Sequence, residues 1–511
     1  MPSQYYITGH AATNQLIING EEADKASEVR HIMDKKTTKS MIHFNKIALT
    51  LGIAFSFSVL PSSLQAHTQS LQEKVKNYFL QTLKSKQNTD WKSKEAFQRN
   101  KNYSTDIRRQ LKKNEIDANE KMVWTAWCEA NRELKEEKLA QLGSLQKGDQ
   151  DTWNLPQGLE PNATMPYYYG SKGKAEGELP LFLYLHGSGP KSQEWQTGLL
   201  LGNRFNDAPS IYFIPQIPNE GNYYRWWQVA KQFAWEKLIR QSLVSGAVNA
   251  NRIYVFGISE GGYGSQRLAS FYADYWAAAG PMAGGEPLKN APVENCANIG
   301  FSFLTGADDT GFYRNILTRY TQEAFEAAHK AHPLSADKRP LFRHRITLIP
   351  GMQHRIDYDL TTPWMKNYVR NPYPKTVLWE DYEMDGRHRS GFYNLQVIKS
   401  PSANRTYYEM NISNNVIELN IKNVEYTTIE KDKHWGIEMK FSRSYTIAKG
   451  GQLRIYLNNH LIDMRKPVTV IINDKQLYKG KVKATLQDMI NSCTEYFDPY
   501  RVFHASIELN Y

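Results

Sequence analysis

A serine between two glycines is the first feature that could carry chemistry. The sequence GISEG occupies 257–261, with an apolar stretch at 253–256 before it and a helix-like stretch at 266–272 after it. A strand-to-helix turn must be very tight to raise a serine hydroxyl at the edge of a sheet, and the two glycines avoid Cβ clashes in that turn. The motif alone is weak evidence, but its position between a strand and a helix predicts that Ser259 is a nucleophile.

A glycine-rich segment could stabilise the charge that this nucleophile would create. The sequence HGSGP at 186–190 directly follows the apolar stretch 181–185. A hydrolytic serine needs an oxyanion hole, because negative charge develops on the carbonyl oxygen in the tetrahedral intermediate. One backbone N–H would come from Glu260, the residue after the nucleophile. The second is predicted to come from Ser188, with Gly189 as the alternative.

A histidine after a later apolar stretch could serve as the base. The stretch 345–349 leads into PGMQH, which ends at His354. We predict that His354 takes the proton of the serine hydroxyl during attack and returns it to the leaving group. His388 and His344 are the alternatives.

Two neighbouring carboxylates could orient that imidazole. The apolar stretch 301–305 leads into GADD, which ends in Asp308 and Asp309. Asp309 is preferred as the acid, with Asp308 as the alternative. The carboxylate that is not used is expected to cap the helix that begins near Phe312.

The elements that would position these residues have an alternating pattern. Short apolar runs alternate with longer amphipathic connectors, which predicts a mostly parallel sheet covered by helices on both faces. The expected α/β domain spans 155–373. Its predicted strands are 181–185, 211–215, 253–257, 275–280, 301–305 and 345–349.

The segments on either side differ in character. Residues 67–154 place apolar residues at three- and four-residue steps, which predicts a helical extension of two to four helices. Residues 374–511 alternate between apolar and polar residues, which predicts an all-β, sandwich-like domain. Asn473-Asp474 lies between two strand-like stretches, as a hairpin turn would.

The first 66 residues resemble a leader rather than part of the fold. Lys46 precedes an uncharged apolar run of 14 residues at 47–60, and small residues follow as far as Ala66. This pattern predicts a signal peptide, with Met41 as the expected start and 1–40 upstream of it. A short membrane anchor is the alternative, although a span needs about 20 residues. The protein is therefore expected to be exported to the periplasm or the exterior, with no stable membrane span after removal of the signal.

Composition excludes several other classes of function. The formal net charge is +11, but the basic residues are scattered and match no nucleic-acid-binding module, so no nucleic-acid partner is expected. The chain has three cysteines and contains no CxxC or HExxH motif. We therefore predict no metal site and no cofactor.

With these motifs placed, residues 156–370 resemble the α/β-hydrolase superfamily. The segment is similar to its secreted esterase branch, which includes esterase-D-type, feruloyl-esterase-type and polyhydroxyalkanoate-depolymerase-type enzymes. The likeness rests on HGSG, on NRIY before GISEGG, and on the later acid and histidine. It implies hydrolysis of carboxylic esters through an acyl-enzyme, without a cofactor. By this resemblance the triad would be Ser259, His354 and Asp309, and the oxyanion donors Ser188 and Glu260.

This sequence departs from the family pattern in two ways. Gln353 stands immediately before the histidine, where the superfamily frequently has glycine. The two flanking regions have no counterpart in small esterases, so substrate preference cannot be transferred.

A run of large side chains could line the substrate pocket. Tyr224, Arg225, Trp226 and Trp227 fall between a predicted strand and the helix that precedes GISEG. They could stack on a sugar or an aromatic acyl group, with Arg225 binding an anion. The alternative is that these aromatic side chains pack beneath a loop.

The expected partner is a small-molecule or polysaccharide-linked ester. Carbohydrate and phenolic esters are the favoured substrates. A serine peptidase of the same type is the alternative, since amide and ester cleavage use the same machinery. A non-catalytic polysaccharide-binding protein is a third hypothesis.

Overall fold

The computed structural model describes residues 62–87, 107–174 and 176–511, with the side chains of the first helix described for 71–86. The predicted start at Met41 and the apolar run 47–60 lie outside the described residues. The predicted end of the leader at Ala66 falls within the first helix.

A mixed sheet forms the centre of the molecule. In the described chain it contains nine strands: β1 (Gly143–Ser144), β2 (Gln150–Asn154), β3 (Thr164–Lys172), β4 (Leu179–Leu185), β5 (Ser210–Pro215), β6 (Val248–Ile258), β7 (Ala278–Met282), β8 (Gly300–Gly306) and β9 (His344–Ile349). Their order is β1-β3-β5-β4-β6-β7-β8-β9, and β2 pairs with β3. β3 is antiparallel to both β2 and β5, whereas the strands from β5 to β9 are parallel.

Two smaller sheets follow in the C-terminal region. Their strands are β10 (Thr376–Asp381), β11 (Gly391–Phe392), β12 (Leu395–Lys399), β13 (Arg405–Ser413), β14 (Val416–Lys431), β15 (Glu438–Ile447), β16 (Gln452–Leu457), β17 (Val468–Ile472), β18 (Lys475–Gly480) and β19 (Ala505–Asn510). One sheet has the order β10-β13-β14-β17-β18 with β15 also paired to β14, and the other has the order β11-β12-β16-β19. Trp379 of β10 stacks on Phe392 of β11 with ring centroids 5.3 Å apart, so the two sheets pack against each other.

The helices precede, cover and follow these sheets. They are α1 (Ser62–Gln87), α2 (Ile116–Glu133), α3 (Lys191–Arg204), α4 (Val229–Ser245), α5 (Glu260–Phe271), α6 (Arg314–Ala331), α7 (Thr361–Met365) and α8 (Leu486–Tyr496). Within the described ranges, no helix is both long and apolar enough to span a bilayer.

Both faces of the central sheet are buried, as a parallel sheet requires. Leu181, Leu183 and Leu185 of β4 belong to one hydrophobic cluster. The alternating residues Phe182 and Tyr184 belong to a second cluster. Because successive side chains of a strand point to opposite faces, the two clusters lie on the two sides of the sheet. The predicted α/β sheet is confirmed.

Some details of the predicted secondary structure differ from the structure. Strands β1 and β2 lie in the region 67–154 that was predicted to be helical, because both pair with β3 at the edge of the central sheet. The strand predicted at 275–280 begins only at Ala278, because Tyr275 and Trp276 form turns that follow α5. Helix α8 lies in the region predicted to be all-β. The hairpin predicted at Asn473-Asp474 is confirmed: these residues connect β17 to β18 with φ of 47° and 65°, as two-residue hairpin turns require.

The flanking regions and the central sheet share one compact unit, 63–511. Buried residues of α1, α2, the central sheet and the C-terminal sheets lie in the same hydrophobic cluster. A buried ionic network joins the last segment to the α/β region, because Arg501 binds both Asp274 (2.6 Å) and Asp498 (2.9 Å). The predicted boundaries after 154 and 373 thus fall inside this unit.

Candidate active site

Ser259 lies on a strained turn between β6 and α5. Its backbone has φ 55° and ψ −113°, a conformation that costs a non-glycine residue about 1–3 kcal/mol. The turn is held by the Ser259 N–H, which donates to the carbonyl of Met282 at 3.0 Å. The hydroxyl is therefore presented at the carboxyl end of a central parallel strand.

The glycines of the motif are required by close backbone contacts. A Cβ on Gly257 would lie 2.4 Å from the carbonyl oxygen of Gly261. A Cβ on Gly261 would lie 1.9 Å from the carbonyl oxygen of Leu185, at the end of β4. No other residue fits either position without moving backbone, so the pattern at 257–261 follows from packing.

The three predicted triad residues are in hydrogen-bond contact. His354 Nε2 lies 3.0 Å from Ser259 Oγ, and His354 Nδ1 lies 2.8 Å from Asp309 Oδ2. An ionised carboxylate at Nδ1 makes that nitrogen the donor, which leaves Nε2 free to accept the serine proton. The His354 side chain is 45% exposed, whereas Asp309 is buried. The imidazole is thus anchored at one end and open to solvent at its edge.

The alternatives for the base and the acid lie elsewhere. His388 contacts Asp381 at 3.2 Å, and His344 contacts the carbonyl of Phe342 at 2.7 Å. Asp308 is exposed, and α6 begins at Arg314 without a side-chain cap, so the predicted cap by the unused carboxylate is wrong.

Arg314 is a site residue that sequence reasoning missed. Its guanidinium binds both oxygens of Asp309, with contacts of 2.7, 2.9 and 3.0 Å. Burial opposes ionisation of Asp309, but hydrogen bonds from His354 and Arg314 outweigh it and hold the pKa of Asp309 below its ordinary value. Phe312 and Tyr313 have φ of 50° and 58°, which turns the chain back so that Arg314 faces the carboxylate.

Two buried aromatic side chains hold the loop that carries Ser188. The hydroxyl of Tyr224 lies 2.7 Å from the carbonyl oxygen of Gly187 and 3.0 Å from that of Gly189. The indole N–H of Trp226 donates to the carbonyl of His186 at 2.9 Å. These contacts hold the peptide groups 186–187, 187–188 and 189–190, close to Ser188.

His186 supports the same loop in its neutral form. Its Nε2 accepts the backbone N–H of Ile217 at 3.0 Å, and its Nδ1 lies 2.7 Å from the carbonyl of Gly187. Burial lowers the pKa of His186 to about 4. Nδ1 is therefore the protonated nitrogen that donates to Gly187.

The four residues predicted to bind substrate divide into two pairs. Tyr224 and Trp226 are buried beneath the loop and are inaccessible to a ligand, which corrects the prediction for these two. Arg225 is exposed and Trp227 is half-buried, so both can still meet a substrate. The packing alternative therefore holds for one pair, and the substrate role of the other stays a prediction.

Glu260 contributes a buried carboxyl beside the nucleophile. Its Oε2 lies 3.2 Å from Arg225 Nη1, while its Oε1 is buried without a hydrogen-bond partner among the described residues. Burial raises the pKa of Glu260 to about 7, although Arg225 opposes this. Its backbone N–H lies in the first turn of α5, where N–H groups have no acceptor within the helix.

The strand order and the positions of these loops together define the fold. Ser259 follows β6, Asp309 follows β8 and His354 follows β9, while the loop with Ser188 joins β4 to α3. A nucleophile on a strand–turn–helix elbow, followed along the chain by acid and histidine, is the α/β-hydrolase arrangement. This is an α/β-hydrolase fold.

Comparisons with solved structures find chains that are similar to part of this one. A thermostable esterase is 22% identical with a TM-score of 0.30, over 43% of this chain and 59% of that one. A ferulic acid esterase is 14% identical with a TM-score of 0.32, over 43% and 97%. A poly(3-hydroxybutyrate) depolymerase from Bordetella parapertussis is 13% identical with a TM-score of 0.30, over 40% and 84%. No family model and no curated protein sequence matches the chain.

In the described part of the chain, no group of three or more His, Cys, Asp or Glu side chains is placed to bind a metal ion. Cys128, Cys296 and Cys493 are buried and unpaired. The absence of a metal and of a cofactor stays a prediction.

Proposed function

We propose that this protein is a serine hydrolase that cleaves carboxylic esters through an acyl-enzyme. The observation that carries the proposal is the continuous contact from Ser259 Oγ to His354 and on to Asp309, on a strained turn at the edge of the sheet. Strain of this kind persists where the surrounding structure over-determines it, which is typical of active sites.

In the acylation step, Ser259 Oγ attacks the ester carbonyl carbon as its proton passes to His354 Nε2. The imidazolium is stabilised by the Asp309 carboxylate, which Arg314 keeps ionised. The tetrahedral intermediate collapses when the C–O bond to the alcohol breaks and His354 returns the proton to the leaving oxygen.

The oxyanion would bind to backbone N–H groups of Glu260 and Ser188. The Glu260 N–H lies at the N-terminus of α5, where the helix dipole favours negative charge. The Ser188 N–H and the Gly187 carbonyl belong to the same peptide group, and the carbonyl accepts a hydrogen bond from the Tyr224 hydroxyl. Because the N–H and C=O of a trans peptide point in opposite directions, this hydrogen bond directs the Ser188 N–H away from Tyr224.

The second half-reaction repeats the sequence with water. His354 removes a proton from water as the hydroxide adds to the acyl carbon. The intermediate collapses when the bond between the acyl carbon and Ser259 Oγ breaks and His354 returns the proton to Oγ, which releases the acid and restores the serine hydroxyl. The exposed edge of His354 gives water access to this position.

The test compares hydrolysis of p-nitrophenyl acetate, acetylated and feruloylated sugars, and peptide p-nitroanilides by wild type and Ser259→Ala. We expect turnover of esters that depends on Ser259. Turnover of the anilides in preference to the esters would assign a peptidase. No Ser259-dependent turnover of any substrate would favour a non-catalytic binding protein.

We also propose that the protein is exported to the periplasm or the exterior. The support is the charge and hydropathy pattern that ends at Ala66. N-terminal sequencing of the protein from those fractions should begin at His67. A mature chain that retains 47–60 would favour the membrane anchor.

A further inference from the structure

A long hairpin of the C-terminal region reaches the catalytic part of the molecule. Strands β14 and β15 pair with each other along the whole hairpin, but β14 pairs with β13 only as far as Val424. From Glu425 onward the hairpin therefore projects beyond its sheet. The six residues at 432–437, which we name the hairpin tip, connect its two strands.

Specific contacts dock this hairpin on the α/β region. Arg443 binds Glu294 at 2.7 Å, and Lys289 binds Glu438 at 3.2 Å, so β15 is held against the segment that follows β7. Each ion pair is partly exposed, so each alone would contribute little to the free energy of docking. Together with the contacts of the hairpin tip, the two pairs fix the position of the end of the hairpin.

The tip itself contacts the loop that carries the triad acid. Tyr313 donates its hydroxyl proton to Asp432 Oδ1 at 2.7 Å. Trp435 packs on Phe312 with ring centroids 4.4 Å apart and an interplanar angle of 49°. Asp432 also accepts the backbone N–H of Trp435, which holds the indole at this end of the hairpin.

Phe312 lies near the residue that binds the triad acid, and both rings remain open to solvent. Phe312 lies three residues after Asp309, and the Arg314 guanidinium that binds Asp309 lies 5.5 Å from the Phe312 ring centroid. Trp435 is 52% exposed and Phe312 is 44% exposed. Phe312 and Trp435 thus offer two neighbouring, mutually tilted aromatic faces to solvent near the pair of Asp309 and Arg314.

We propose that Trp435 and Phe312 form a binding platform for the ring of an ester substrate, and that the C-terminal region thereby completes the active site. The shared chemistry is a flat, apolar ring face, which a pyranose presents through its C–H groups and a phenolic acid through its aromatic ring. This inference rests on the proposed ester hydrolase function. Phe312 belongs to the α/β region, and Trp435 adds the part of the platform that comes from the C-terminal region.

The test measures kcat and KM by proton release for three esters. Ethyl acetate has no ring, methyl ferulate carries a ring in the acyl group, and xylose tetraacetate carries a ring in the alcohol. Wild type is compared with Trp435→Ala, with Trp435→Phe, which keeps a ring, and with Tyr445→Ala. Tyr445 is an exposed aromatic residue of the same hairpin, away from the tip, where its ring faces Tyr407.

We expect Trp435→Ala to lower kcat/KM for at least one ring-bearing ester by about five- to tenfold relative to ethyl acetate, mainly through KM. Trp435→Phe should keep most of the wild-type ratio of kcat/KM for the ring-bearing ester to kcat/KM for ethyl acetate. Tyr445→Ala should leave that ratio unchanged. A loss confined to methyl ferulate would place the acyl ring on the platform, and a loss confined to the sugar acetate would place the alcohol there.

Equal effects on all three esters, or no effect, with turnover still dependent on Ser259 would overturn the platform and leave the hydrolase intact. If wild type hydrolysed none of the three, the hydrolase proposal and the platform would fail together.

Discussion

The hydroxyl of Tyr224 offers a test of how the oxyanion loop is held. Burial raises the pKa of Tyr224, so the hydroxyl is protonated at neutral pH and acts as a donor. Its one proton is shared between the carbonyls of Gly187 and Gly189, at 2.7 and 3.0 Å. Tyr224→Phe removes this donor and keeps the ring that fills the buried space.

The size of the effect can be bracketed from the contacts. A hydrogen bond of this kind contributes about 1 kcal/mol net. Loss of a whole oxyanion donor costs about 2.7–4 kcal/mol. Because His186 Nδ1 still donates to the Gly187 carbonyl, the loop is loosened rather than released. We expect acylation to slow by about 5- to 30-fold, which corresponds to about 1–2 kcal/mol.

The assay is the pre-steady-state acylation rate with p-nitrophenyl acetate, together with the affinity for a trifluoromethyl ketone that mimics the tetrahedral intermediate. Both should fall by a similar factor, while KM changes little, because the lost interaction acts on the developing charge. Tyr500→Phe, which removes an exposed phenol hydroxyl, is the control and should match wild type. An acylation rate within twofold of wild type in Tyr224→Phe would refute the role of this anchor.

Three further predictions concern the triad and the side chains around it. His354→Ala should lower kcat by about four powers of ten or more while the protein stays folded, measured by steady-state turnover and circular dichroism. Arg314→Gln should cost about 3 kcal/mol of stability at neutral pH, because it leaves the Asp309 carboxylate buried with one partner fewer. The pKa of Asp309 is depressed in the folded state, so the stabilisation by Arg314 is present above the ordinary pKa of an aspartate and is lost as pH falls. The difference in melting temperature between wild type and Arg314→Gln should therefore narrow in acid. A difference that stays constant with pH would contradict this. Burial raises the pKa of Glu260 to about 7 in the folded state, so the free energy of unfolding of wild type falls as pH rises from about 4.5 to 7. Over that range the free energy of unfolding of Glu260→Gln should rise by up to about 3 kcal/mol relative to wild type. A difference between the two proteins that does not change with pH would contradict this.

The nucleophile turn and the central sheet could be predicted because their determinants are visible as residue types in the sequence. A Cβ on Gly257 or Gly261 would lie 2.4 or 1.9 Å from a backbone oxygen, and the sequence shows both glycines two residues from Ser259. The apolar runs of the parallel strands are likewise visible, since both faces of the sheet are buried. The positions of Asp309 and His354 follow from their place after later strands.

The supporting residues could not be predicted because they depend on the course of the chain in space. Arg314 reaches Asp309 only because two non-glycine residues before it adopt left-handed conformations, which no pattern of residue types indicates. The docking of Trp435 against Phe312 joins segments more than a hundred positions apart in sequence. Tyr224 and Trp226 carried a visible aromatic signal, but periodicity cannot distinguish a buried support from a pocket wall.

The most direct measurement is the site of covalent labelling by a fluorophosphonate, mapped by mass spectrometry of the digested protein. A stoichiometric adduct on Ser259 is predicted for wild type, with slower labelling of His354→Ala and no adduct on Ser259→Ala, because only a serine whose proton can be removed attacks phosphorus at a useful rate. Wild-type protein that stays unlabelled, or an adduct on a different residue, would contradict Ser259 as the nucleophile.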